Sequence, residues 1–221
     1  MNLESEKLRN VALVAHGGAG KTSLAEALIF NSGETSRLGR IQDGNTIMDY
    51  DEEEKKRSTS INSSFYQYKW KKNIISLIDT PGDQNFFSEA KTCLPAADGA
   101  VVIIDSSNGV EVRTEQAVQF ASDNGIACVA FINKVDQERS DFRNAFQSAV
   151  DQLSPKPILT QLPIGEKSDF KGIVDLIANK AFIYKDGKAT VTGIPSDMTD
   201  EVESERADLI ENIAEADDEL L

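Results

Sequence analysis

The chain has 221 residues, 40 % of them hydrophobic and 27 % charged, with a net charge of −14; it has the material for a sizeable core and is not a largely disordered polypeptide. Eleven acids against Arg206 alone fall in residues 197–221, so −10 of the charge sits in that tail and only −4 in the rest; without a basic stripe, a stand-alone nucleic-acid binder is excluded, DNA included. No apolar run approaches the ~20 residues of a membrane helix, and the acidic N-terminus MNLESEKLRN is no secretory signal, so no membrane partner is expected and the compartment is the cytoplasm.

Four short apolar runs predict buried parallel strands: Val11–Ala15, Ile74–Ile78, Ala100–Ile104 and Ile126–Ile132. Helical patterns follow most of them. Leu24, Ala25, Leu28 and Ile29 share one face, and Asn31-Ser32-Gly33 stops that helix. Phe86, Phe87, Ala90, Cys93 and Leu94 form a second stripe, ended by Pro95. Val112, Ala117, Phe120 and Ala121 form a third, ended by Gly125; Phe142, Ala145, Phe146, Ala149, Val150 and Leu153 form a fourth. This alternation predicts an α/β doubly wound, mostly parallel sheet covered on both faces. Phe65–Trp70 breaks it: Lys71-Lys72-Asn73 returns the chain straight into Ile74–Ile78, so one edge strand should run antiparallel.

Residues 33–64 are polar and without a sustained period, the signature of a functional or mobile loop. Within it, Glu52–Glu54 followed by Lys55–Arg57 predicts a solvated loop or helix with local pairing. Tyr66, Tyr68 and Trp70 alternate and should pack on one sheet face. Cys93 and Cys128 lie in apolar contexts with no zinc spacing around them, which predicts two buried thiols. Beyond Leu153 the texture changes. Ile158–Ile164 is strand-like, Phe182–Tyr184 and Ala189–Thr192 flank a hairpin turn at 185–188, and Val202, Leu209, Ile210 and Ile213 mark an acidic amphipathic helix over 202–221 whose outer face is either solvated or a docking surface for a basic protein. Residues 158–221 thus form a subdomain appended to a nucleotide fold over 1–157.

Three motifs carry the chemistry. The first strand runs through His16, Gly17, Gly18, Ala19, Gly20, Lys21, Thr22 and Ser23 into a helix, the setting of a phosphate-binding loop: glycines let backbone amides turn inward, and the helix N-terminus adds positive potential. Lys21 would reach the β and γ phosphates and the Thr22 hydroxyl would bind Mg2+. His16 is the only histidine in the chain, and its side chain is read as loop packing rather than as a catalytic base. The second strand ends in Asp79-Thr80-Pro81-Gly82, with Asp79 placed to hold Mg2+ directly or through water and Gly82 to sense the γ-phosphate. The fourth apolar run ends in Asn133-Lys134-Val135-Asp136. Asp136 can accept from N1–H and the 2-amino group of guanine, a pair that adenine lacks. Lys134 would lie along the base, and Asn133 would tie this loop to the phosphate loop.

At these residues the chain resembles the N-terminal GTPase domain of the elongation factor G family of translational GTPases. The likeness extends through MDYDEEEKKRSTSI, AADGAVVIIDSSNGVEVRTEQAV, AFINKVD, LPIGEKSDFKGIVDLIANKA and ERADLIENIAEADDELL, and so covers nearly the whole chain. It implies a P-loop NTPase fold, GTP/GDP and Mg2+ as ligands, the ribosome (rRNA and ribosomal proteins) as partner, a monomer, and hydrolysis of GTP to GDP and phosphate that is slow without the ribosome. It also implies that 158–221 is part of an inserted subdomain, that 1–157 lacks the last strand and helix of the GTPase fold, and that the chain is a fragment of a longer factor.

Four departures from the family pattern point to a divergent paralogue. Where the family usually carries a water-orienting His after Asp-Thr-Pro-Gly, this chain has Asp83, which cannot donate to water or phosphate; Lys21, Gly82 and Asp83 are therefore the candidate catalytic positions, with weakened hydrolysis expected. Arg57-Ser58-Thr59-Ser60-Ile61 replaces Arg-Gly-Ile-Thr-Ile, which puts Ser60 at the position of a Mg2+-binding Thr, with Thr59 as the neighbouring candidate. Gly18 replaces an Asp, removing a carboxylate where relatives hold a monovalent cation. The Ser-Ala motif that backs the guanine is absent, since Ser148-Ala149 falls inside the fourth helix. Alternative readings are a GTP-gated ribosome-binding module with little hydrolysis, a ribosome-protection factor of the tetracycline-resistance kind, and, more distantly, an ATP-using P-loop enzyme.

Overall fold

The fold is that of a computed structural model describing residues 5–185 and 187–215. Asp186, in the expected hairpin turn, and residues 216–221, the end of the expected acidic helix, lie outside the described residues. Five strands, β1 (Leu8–Val14), β2 (Ser64–Trp70), β3 (Asn73–Asp79), β4 (Gly99–Asp105) and β5 (Ala127–Asn133), form one sheet in the order β2-β3-β1-β4-β5. β3, β1, β4 and β5 run parallel and β2 pairs antiparallel with β3, as the short return through Lys71-Lys72 requires.

Successive side chains of a strand point to opposite faces, and that alternation builds two cores. Leu13, Leu77 and Ile103 pack with Ala25 and Ile29 of α1 (Lys21–Asn31) on one face. Ala12, Val14, Val102 and Ile104 pack on the other. There they meet Leu94, just beyond α3 (Phe87–Cys93), Ala117, Val118 and Ala121 of α4 (Val112–Asp123), and Ala145 and Ala149 of α5 (Phe142–Gln152). The stripe of α4 is Thr114, Ala117, Val118 and Ala121. Val112, expected in that stripe, is 64 % exposed because it stands in the first turn, on the solvent side.

The run Ile126–Ile132 is not a buried strand. β5 is the edge of the sheet, with Val129 67 % and Phe131 41 % exposed. Cys128 is exposed for the same reason and Cys93 is half-buried, so the two thiols are not both core residues. Tyr68 is buried and Tyr66 packs beside it, whereas Trp70, at the hairpin end, is exposed.

The long polar segment is more ordered than its composition suggests. It contains a 3-10 turn, Ile41–Asp43, and the six-residue helix α2 (Glu52–Arg57), capped by Asp51 and Glu54 in a reciprocal capping box. After α5, a second sheet of four antiparallel strands, β6 (Gln161–Ile164), β7 (Gly172–Asp175), β8 (Lys180–Lys185) and β9 (Lys188–Thr192), is followed by α6 (Thr199–Glu215). Its core takes Phe142 and Phe146 from α5 with Leu162, Val174, Val202 and Leu209, so α5 serves this third core as well as the one it shares with α4 on the first sheet. Arg143 of α5 adds ion pairs to Glu201 and Glu205 of α6. Among the described residues no helix is long and apolar enough to cross a membrane.

Candidate nucleotide site

The parallel strands deliver their last residues to one edge of the sheet. Leu13 pairs with Asp79 and Asp105 with Asn133, so the loop after β1 and the ends of β3, β4 and β5 lie side by side. A cleft of about 620 Å³ opens there, lined among others by Gly17, Gly18, Gly20, Lys21, Thr22, Ser23, Ser60, Gly82, Asp83, Asn133, Lys134 and Asp136. It brings all three motifs to a single rim. His16, Ala19 and Asp79 are buried behind its wall.

Between β1 and α1 the backbone turns through left-handed conformations at Gly18 and Gly20, which a side chain would strain. A Cβ at Gly20 would also collide with the Asn133 amide. That amide donates to the Ala19 carbonyl at 2.9 Å, fastening the loop after β5 to the phosphate loop as expected. Gly82 lies so close to the His16 backbone and to Lys21 Nζ that a side chain would meet both.

Lys21 is buried, with Nζ donating to the carbonyls of His16 at 2.9 Å and Ala15 at 3.3 Å. Burial lowers its pKa to about 8, against the pull of Asp79. Asp79 is buried as well; burial raises its pKa to about 7, opposed by the Thr22 hydroxyl, which donates at 2.7 Å, and by Lys21. The other carboxylate oxygen, Oδ1, is buried without a hydrogen-bond partner, which is costly unless something positive meets it. Ser60 Oγ stands 3.2 Å from Thr22 Oγ1 and donates to Asp49 Oδ1 at 2.8 Å. Two hydroxyls, an orphaned carboxylate oxygen and a second carboxylate form a hard-oxygen set that suits Mg2+. Thr59 is not part of this cluster; its hydroxyl donates to the Arg57 carbonyl.

His16 is turned away from the cleft. Its Nε2 lies 3.1 Å from Glu111 Oε1 and its Nδ1 3.4 Å from Thr114 Oγ1, and burial lowers its pKa, with Glu111 opposing. Asp83 faces the cleft, and its carboxylate caps the following 3-10 turn through Asn85. Asp136 is exposed on the rim. Lys134, in a left-handed conformation, donates to the Gly18 carbonyl and to Asp105 Oδ2, both at 2.6 Å.

Sequence reasoning does not single out Asp49, which lines the cleft, or Asp105 and Glu111, which hold Lys134 and His16. A signal existed for Asp105: like Asp79, it ends an apolar strand at the ligand-binding edge. Asp49 and Glu111 sit in polar stretches with no pattern to single them out.

The model of the elongation factor Tu GTP binding domain family matches residues 6–216. Elongation factor G of Fervidobacterium nodosum is 38 % identical over 222 residues, covering 99 % of this chain and 32 % of that protein. Elongation factor G of Mycoplasma pneumoniae is 38 % identical over 216 residues, covering 96 % and 31 %. A crystal structure of a Thermus thermophilus protein superposes with a TM-score of 0.90 at 32 % identity, covering 96 % of this chain and 32 % of that one. The chain spans about a third of the length of the relatives it matches.

Proposed function

Because this chain belongs to the elongation factor Tu GTP-binding domain family, we propose that it is the GTP-binding domain of an elongation factor G-like translational GTPase, working in the cytoplasm as a monomer on the ribosome and hydrolysing GTP slowly. Residues 1–157 are the GTP-binding part and 158–221 part of an inserted subdomain. The exposed β5 edge supports the view that the GTP-binding part takes a further strand and helix. The observation that carries the reading is the convergence of the phosphate loop, Gly82 and Asp136 on one cleft.

In this reading Lys21 and the loop amides hold the phosphates, and the Gly82 amide touches the γ-phosphate and so registers whether it is there. Thr22 and Ser60 would hold Mg2+, with Asp79 and Asp49 behind them, and the ion would supply neutralising positive charge to the phosphates. Asp136 selects guanine, and Lys134 and Asn133 keep its loop against the phosphate loop. Asp83 is an acceptor only, occupied by Asn85, and offers no proton to water or phosphate. That observation favours a second reading, a nucleotide-gated ribosome-binding module that turns over little.

Calorimetry with GTP and ATP tests the assignment. GTP should bind more tightly than ATP by about a hundredfold or more, and Asp136→Asn should erase most of the difference. Equal affinity for the two nucleotides in the unsubstituted chain would refute guanine selection.

A further inference from the structure

We infer that Asp105 is a positioning residue of the nucleotide site: it clamps Lys134 onto the phosphate loop and so couples base recognition to phosphate binding. The inference rests on the GTP-binding reading and adds to it a residue outside the three motifs.

Asp105 ends β4, in register with Asn133 at the end of β5. Its Oδ2 accepts from Lys134 Nζ at 2.6 Å, and the same ammonium donates to the Gly18 carbonyl at 2.6 Å. Carboxylate, ammonium and carbonyl thus form one chain across three loops, with the Asp105 side chain only 8 % exposed. The hydrogen bond and charge of Lys134 hold the Asp105 carboxyl below its ordinary range although burial pushes the other way. The left-handed conformation of Lys134 is one that persists when its surroundings over-determine it, and the two acceptors on its ammonium contribute to that.

The clamp is itself held. Asp105 Oδ1 accepts from the Ser107 N–H at 2.9 Å, and its carbonyl accepts from the Gly109 N–H at 2.8 Å, closing a tight turn. Ser106 N–H donates to the Asn133 carbonyl, and Val110 N–H donates to Ser148 Oγ on α5, each at 2.9 Å. Gly109 is left-handed and packs against Ser148 so closely that a Cβ would collide with it. The turn therefore cannot shift without disturbing α5. It ends at Glu111, which pairs with His16, so residues 105–111 grip the phosphate loop twice, at Gly18 through Lys134 and at His16 directly.

A lysine side chain loses much rotamer freedom when it is fixed. Asp105 fixes Lys134 before the nucleotide arrives, so less ordering remains for binding. Removing the carboxylate has an opposing effect, since one negative charge fewer near the phosphates favours any polyanion. The two effects separate by ligand: lost positioning weakens guanine nucleotides, whereas lost charge strengthens inorganic triphosphate.

The test is a double-substitution cycle on GDP release and equilibrium binding, with inorganic triphosphate as competitor. Asp105→Asn should weaken GDP by about tenfold, mainly through faster release, and should leave triphosphate binding unchanged or tighter. In the Lys134→Met background the same change should add less than about twofold. GDP affinity within twofold of the unsubstituted chain, effects that multiply, or an equal loss for triphosphate would each overturn the inference. If Asp105→Asn does not fold, Asp105→Ser, which keeps a hydroxyl for the Ser107 N–H, takes its place; failure of both to fold overturns the inference by making Asp105 a structural residue. An unsubstituted chain that binds no guanine nucleotide refutes the GTP-binding reading instead.

Discussion

The carboxylate of Asp83 accepts from the Asn85 backbone and side-chain amides at 2.8 and 2.9 Å, so it is anchored beside the cleft with nothing to donate. A positioned acid–base group contributes about a hundredfold or more to such reactions. Asp83→His is therefore expected to raise single-turnover GTP hydrolysis on ribosomes by about that factor; an unchanged rate in both Asp83→His and Asp83→Ala would show that the position plays no part. A place at the cleft is readable where a fixed motif meets a strand end, as at Asn133 and Asp136 on its lining and Asp79 buried behind it. Asp105 occupies an equivalent strand end but has no motif around it, and its partner Lys134 is 29 positions away, a pairing that only the parallel register creates. His16 was legible in a negative sense: as an internal loop residue it packs inward, against Glu111 and Thr114.

Among the elements, the polar segment 33–64 departs furthest from its sequence appearance. Two buried carboxylates order it. Glu26 of α1 accepts from the backbone N–H groups of Ile47 and Met48 at 2.6 and 3.0 Å. Glu54 accepts from those of Ile61 and Asn62 at 2.8 and 2.9 Å and from that of Asp51 at 3.2 Å. Ser60 is brought to Thr22 within this scaffold. In the run EEEKKR, Glu52 and Glu53 form the expected surface pairs with Lys55 and Arg57, but Glu54 has the same composition around it and the opposite fate, buried at 1 % exposure. Charge patterning does not distinguish a solvated glutamate from one that satisfies backbone donors. Glu54→Ala would strand three N–H groups, and we expect a loss of about 2–4 kcal/mol in urea unfolding with faster proteolytic cleavage between residues 39 and 62. Stability and cleavage like those of the unsubstituted chain would mean that Glu54 does not hold the segment. β7 was missed for a different reason: GIVD is too short to show a period, and only its pairing with β6 and β8 makes it a strand.

At the scale of the whole molecule, alternating apolar runs and helical stripes made the doubly wound sheet and its antiparallel edge strand legible, because period two and period 3.6 have separate causes in strand and helix geometry. The same runs did not reveal that β5 is an edge: Val129 and Phe131 are as apolar as Ile103 and Ile104, yet the former are exposed and the latter fully buried. Burial of a strand depends on its neighbours, which its own residues do not encode. What the global arrangement does decide is that the parallel strands end together, bringing Lys21 and Asp136, 115 positions apart in the chain, to the two sides of one cleft.

Calorimetric titration with GDP of the unsubstituted chain, Lys21→Ala and Asp136→Ala tests that convergence most directly. One site per chain is predicted, weakened by either substitution by about tenfold or more. A second site, or GDP affinity that survives either change, would show that the two loops do not share a guanosine polyphosphate.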